Sequence, residues 1–267
     1  MSSRYFPLHI ALESRSLVGA IGYAEQHTRQ TFHDWSWILA RTRKTTAEVV
    51  DLLRNGRGIP TASEVEKHTI RFYPRHWLNR WDESMPDIPS VLQIGEKDSK
   101  GRLTLSRGDL FTLGSKVETA QDAVNFYVAV CSWGAGAKAR DIYRRIPTLK
   151  EPDVGEKLLG GIMLAKDSNV EAEDAYRSFR TSDQYRLKGL GPAFFTKLLY
   201  FAAGPTDSKK MRHLILDKKV AASISWPDKT WWTPSEYREY LELINNVVEH
   251  LPEAERSDCL EMQLFNP

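Results

Sequence analysis

Cysteine is scarce in this chain: Cys131 and Cys259 are the two among 267 residues. That excludes a disulfide framework and makes a reducing, cytoplasmic setting the expectation. The seven histidines are scattered, and neither His-Glu-x-x-His nor Cys-x-x-Cys occurs. No zinc centre is therefore expected. A Walker A loop and a dinucleotide fingerprint are also missing; "GAGAKA" follows a helical pattern rather than a strand. No apolar run approaches the ~20 residues of a membrane span, so no membrane partner is expected. The opening "MSSRYFPLHIALESRS" lacks a signal-peptide layout, because Glu13 and Arg15 interrupt its apolar run. Net charge is small, with 37 Lys+Arg against 35 Asp+Glu. Any nucleic-acid surface must then come from local clustering of cations.

Strand signals are thin, confined to "GRLTLSRGDLF", "RHLILD" and the final "CLEMQLFNP", a short strand or a docked tail. Helix signals dominate. Thr45 with Glu48, Thr119 with Asp122, and Thr233 with Pro234 and Glu236 each mark a helix start. Gly56 and Gly134 read as stops. Leu241, Ile244, Val248 and Leu251 fall on one face at helical spacing, as do Ala175, Tyr176 and Phe179 behind Val170. Residues 82–101 are rich in Pro, Gly and charge and read as a linker. The expected fold is mostly α with few or no short strands. It comprises two packed helical subdomains, 1–100 and 101–267, or a single compact unit.

The stretch "LKGLGPAFFTKLLYFAAGP" carries the most information. Leu187-Lys188-Gly189-Leu190-Gly191 has two glycines around one apolar residue, which permits a tight turn. Pro192 suits the first turn of the next helix, and Gly204-Pro205 ends it. Backbone N–H groups of such a turn, at a helix N-terminus, suit a phosphate; the same pattern also serves an ordinary helix–helix connection. Lys197 is the one charged side chain in this apolar helix. A buried ammonium is costly and responds by lowering its pKa, which makes a nucleophile; a lysine can instead snorkel from a helix rim. Asp217, in "LILDKKVA", reads as a helix N-cap that the helix dipole keeps ionised.

Turn, lysine and capping aspartate together resemble the helix-hairpin-helix superfamily of DNA glycosylases. Within it the chain is most similar to bacterial proteins of the 8-oxoguanine DNA glycosylase fold. The resemblance rests on "LKGLGPAFFTKLLYFA" and "LILDKKVA", with weaker support from "VAVCSWGAGAKARD". It runs from about Leu105 to the C-terminus.

The resemblance implies a glycosylase, with AP lyase activity, acting on double-stranded DNA that contains a modified base, 8-oxoguanine first among them. Lys197 would attack the sugar C1′ and Asp217 would assist. Lys188, Gly189, Leu190 and Gly191 would bind the DNA backbone, with a monovalent or divalent cation at the hairpin as the sole cofactor. Trp133 and Phe201 would hold the extruded base, though both residue types also serve as core. In many members the lysine follows the second hairpin glycine almost directly. Here that place is Pro192 or Ala193, and Lys197 lies one helical turn further. Read from the residues alone, the basic stretches "KARDIYRRIPTLK", "KKMRH", Lys218-Lys219 and "RFYPRHWLNRW" flank the hairpin in sequence, which favours DNA, though such a stretch is more often a solvated face. A monomer is expected. Two other outcomes stand beside repair: excision of phage-modified bases in antiviral defence, and a non-catalytic DNA-binding protein that reuses the hairpin.

Overall fold

The structure, a computed structural model, describes residues 43–181, 184–227 and 229–265. The part of the expected N-terminal subdomain before residue 43 lies outside them. Local capping chemistry sets where the helices begin. Thr45, Thr119 and Thr233 each complete a capping box, opening α1 (Thr46–Arg54), α5 (Ala120–Ala135) and α12 (Pro234–Val247). Two further boxes, Thr61 with Glu64 and Ser106 with Asp109, open α2 (Ala62–Lys67) and α4 (Arg107–Ser115). Between α2 and α4 run β1 (Thr69–Phe72), α3 (Arg75–Leu78) and β2 (Leu103–Ser106). After α5 come α6 (Ala139–Tyr143), α7 (Ile146–Leu149), α8 (Val154–Lys166), α9 (Ala172–Arg180), α10 (Pro192–Ala203) and α11 (Lys218–Ser223). The last helix, α13 (Ser257–Phe265), follows α12.

The fold is thus mostly α. The sheet among the described residues is a two-stranded antiparallel pair, Thr69 opposite Ser106 and Phe72 opposite Leu103. "RHLILD" forms no strand, and "CLEMQLF" is helix rather than strand or tail. Residues 82–101 carry one 3₁₀ turn, Ser90–Leu92.

The core lies around α5 and α10. Phe126 to Trp133 of α5 and Phe195 to Ala202 of α10 are buried without a break, so these stretches are enclosed on every face, as helices at the centre of a core are. α5 packs on α8, and α10 packs on α4, α5, α8 and α9. Glycine permits the closest of these approaches: a side chain at Gly114 of α4 would strike the carbonyl of Phe201. Gly134 is not the stop its position suggested. It sits inside α5, which ends at Gly136 with φ +59°.

One buried group makes this core sensitive to acid. His213 is fully enclosed, with Nδ1 3.3 Å from the Tyr237 hydroxyl and Nε2 without a partner. Burial, with Arg212 acting in the same direction, pushes its pKa down to about 3. An unfolded histidine titrates near 6.5, so between these values the unfolded chain binds the extra proton. Its contribution is complete above about pH 6.5 and is lost as pH falls, by up to ~1.4 kcal/mol per unit. Urea midpoints measured from pH 7 to 4 should fall more steeply for the wild type than for His213→Leu. Parallel slopes would show that His213 contributes nothing.

Candidate active site

Lys197 sits in the middle of α10, 7% exposed. Its amine donates to the carbonyl of Ala193, one turn back, at 2.7 Å. The side chain therefore returns the nitrogen to the level of the residue where a lysine following the turn more directly would start. The i, i+4 geometry makes this reach possible. Gly134 on α5 leaves room for it: a Cβ there would lie 3.2 Å from Lys197 Cδ and 3.1 Å from Phe194 Cε1.

Asp217 is the N-cap of α11. Its Oδ1 accepts from the amides of Lys219 and Val220, at 3.0 and 3.2 Å. The other oxygen, Oδ2, faces Lys197 Nζ at 3.6 Å, with both side chains largely buried. One carboxylate thus holds a helix end and neutralises a buried amine at once.

These two groups open onto a cavity of about 140 Å³, whose walls include His68, Arg107, Trp133, Gly134 and Glu261. A void of roughly this size holds one flat ring. Three wall residues carry a buried nitrogen with no partner: His68 Nδ1, Arg107 Nε and Trp133 Nε1. Buried polar atoms are normally satisfied, so three unpartnered nitrogens on residues of one wall set this cavity apart from the apolar core around it. Burial, then the neighbouring Arg107, lowers the His68 pKa, which favours the neutral ring. The Trp133 ring meets His68 edge-on at 5.5 Å, and the Arg107 guanidinium lies 5.2 Å from its centroid.

Arg107 and Glu261 form a salt bridge of 2.8 Å with almost no solvent exposure. Arg107 also donates to the Tyr200 hydroxyl at 3.2 Å, which donates to Asp258 at 2.7 Å; Asp258 in turn pairs with Arg256. Desolvation raises the Glu261 pKa while Arg107 opposes the rise. The buried cation is thus held by a polar chain running from the cavity wall to α13. The cysteines offer no rival nucleophile, since burial pushes Cys131 up to about 12 and Cys259 up to about 11.

The turn before α10 has the expected form. Gly189 adopts φ +81°, and the Leu190 amide donates to the Leu187 carbonyl at 3.2 Å. Gly191 is the N-cap and offers no side-chain acceptor to the first turn of α10. α7 supports the turn from below. Thr148 donates to the Lys188 carbonyl at 2.8 Å, and Arg145 donates to the Gly189 carbonyl while lying over the Phe194 ring at 4.2 Å. The carbonyls of Leu187, Lys188 and Gly189 all accept a protein donor, and Arg145 brings its own positive charge. In this arrangement Arg145 supplies the positive charge beside the Gly189 carbonyl.

Sequence-derived site residues fall into three places. Lys197, Asp217 and Trp133 meet at the cavity. Lys188, Gly189, Leu190 and Gly191 form the turn, where Lys188 and Gly189 are exposed and Leu190 is core. Phe201 lies behind the cavity, fully buried, edge-on to Trp133 at 5.3 Å. The aromatic-cation stretch at residues 71–81 folds onto the protein itself: Arg75 covers Tyr73 at 4.2 Å, Arg80 covers Tyr143 at 3.8 Å, and Trp77 is core. His68, Arg107 and Glu261 carried no flag in the sequence. Glu261, between Leu260 and Met262, was open to the same logic that marks Lys197: a charge inside an apolar run.

The fold is of the mostly α class, with a buried lysine and a capping aspartate side by side at a ring-sized cavity. The family comparison is more specific. Residues 63–265 match the model of the family described as "Putative 8-oxoguanine DNA glycosylase OGG-like protein", and the chain belongs to that family. The match covers every cavity residue named above. Comparison with curated proteins and with solved structures returned no match. Among the described residues, no helix is long and apolar enough to cross a membrane.

Proposed function

We propose that the protein is a DNA glycosylase with lyase activity, that Lys197 is its nucleophile, and that the turn at Gly189–Gly191 is a helix-hairpin-helix element gripping duplex DNA. The observation that carries the proposal is the Lys197–Asp217 pair facing a cavity with three unpartnered nitrogens. Duplex DNA is held by backbone amides of the turn and the start of α10. The modified base is extruded into the cavity, against Trp133. Its ring atoms take the hydrogen bonds that His68, Arg107 and Trp133 lack.

The amine gives up its proton, with the Asp217 carboxylate, 3.6 Å away, as the neighbouring base. The Lys197 Nζ lone pair then forms a bond to C1′. The C1′–N glycosidic bond breaks, and its electron pair leaves with the base, which takes up a proton. Asp217 stabilises positive charge developing on the sugar. Ring opening at C1′–O4′ gives an imine linking Lys197 to the sugar. Loss of a C2′ proton then expels the 3′ phosphate and cleaves the strand. 8-Oxoguanine is the first substrate to try, on the family resemblance; fold alone does not fix it.

The test is incubation with duplexes carrying single modified bases, with and without borohydride. Release of the base and a covalent protein–DNA adduct on reduction are expected. Release without an adduct would leave the glycosylase and remove the lyase step. Neither product on any substrate would overturn both.

A further inference from the structure

A second concavity of about 540 Å³ opens beside the turn, lined by Arg180, Arg186, Leu187, Lys188, Glu151 and Trp231 among others. It shares no wall residue with the lysine cavity. Trp231 is 49% exposed, unusual for so large an apolar group, whereas its neighbour Trp232 is fully buried. The Tyr176 hydroxyl donates to the Trp232 carbonyl at 2.8 Å, so the backbone next to Trp231 is anchored to α9. The Arg180 guanidinium lies over the Trp231 ring, 4.7 Å from its centroid, and its Nε is buried without a partner. The far edge of the ring reaches the second hairpin glycine: a Cβ at Gly191 would lie 4.0 Å from Cη2. Among the described residues, three cations line the groove against one carboxylate, Glu151.

We infer that this groove binds a single-stranded segment of nucleic acid, with one base stacked on the open face of Trp231 and its phosphates taken by Arg186 and Lys188. An anchored aromatic plane inside a cationic groove is the combination that single strands require: every base has a π-face, and the backbone is anionic. Arg180, behind the ring, adds cation–π support and holds the plane. The groove shares Gly189 and Leu190 with the turn but no residue with the lysine cavity, so the inference stands whether or not Lys197 is a nucleophile.

Fluorescence anisotropy with labelled single-stranded oligothymidylate tests it. The wild type should bind at low salt. Trp231→Ala should weaken binding roughly 5- to 150-fold, the loss of one stacked base, while Trp231→Phe retains most of the affinity. The double change Arg186→Ala/Lys188→Ala should lower the slope of log affinity against log salt by about 1.4, or ~0.7 for each phosphate contact on a single strand. Both positions are exposed, and unchanged thermal melting checks that the variants fold. No oligothymidylate binding by the wild type, or wild-type affinity in Trp231→Ala, would overturn the inference. Failure of the glycosylase proposal would appear instead as no base release, with oligothymidylate binding intact.

Discussion

Lys197→Gln is expected to abolish the borohydride-trapped adduct and to lower base release by roughly 10³-fold or more, as removal of a nucleophile does elsewhere. Duplex binding should persist. Glutamine keeps most of the stem that lies along Gly134, and its amide can still donate toward the Ala193 carbonyl. The variant therefore removes the nucleophile with little change in shape. Asp217→Asn separates the two tasks of the carboxylate. Asparagine caps a helix about as well as aspartate, so α11 should stay in place and thermal stability should hold. The negative charge 3.6 Å from the amine is lost, and base release should fall roughly 10²- to 10⁴-fold. Single-turnover rates on a lesion duplex measure both. Wild-type base release by Lys197→Gln would sink the nucleophile assignment. An equal loss of folding and activity in Asp217→Asn would reduce that residue to a cap.

The second large effect concerns stability. Glu261→Leu leaves the Arg107 guanidinium buried without its carboxylate, a change that costs roughly 3–5 kcal/mol. Arg107→Met/Glu261→Leu removes both charges, and apolar replacement of a buried pair is often neutral or stabilising. Urea midpoints should therefore drop sharply in the single variant and recover in the double one. Activity should not recover with them. Arg107 lines the cavity with a nitrogen that has no protein partner, so the double variant should fold yet show a raised KM on its lesion substrate. Recovery of both stability and KM would make the pair purely architectural. No loss in Glu261→Leu would mean that Tyr200 alone satisfies Arg107.

How much of this was legible beforehand depends on the range of the interaction involved. The capping boxes at Thr45, Thr119 and Thr233 were readable because each spans one turn. Those at Thr61 and Ser106 follow the same rule but stand beside short or strand-like stretches that mask it. The apolar run around Lys197 announced a buried amine for the same local reason. Gly134 misled because a glycine near a helix end usually stops it; here its missing side chain makes room for the stem of a lysine on another helix, a contact that α5 alone does not disclose. Phe201 shares the helix with Lys197, yet packing against Phe111 and Trp133 turned it to the back of the cavity.

The sequence by itself determined the helical class, the start of α10 at the Gly191-Pro192 step, and the chemistry available on that helix and at Asp217. Each follows from backbone conformation, capping or desolvation acting over a few residues. Tertiary structure alone decided what surrounds the amine. His68, Arg107, Trp133 and Glu261 come from four separate elements, α2's end, α4, α5 and α13, and meet because apolar faces elsewhere on those helices bury together. Burial specifies which faces pack; it leaves no short-range mark on the polar groups that packing then brings to one cavity.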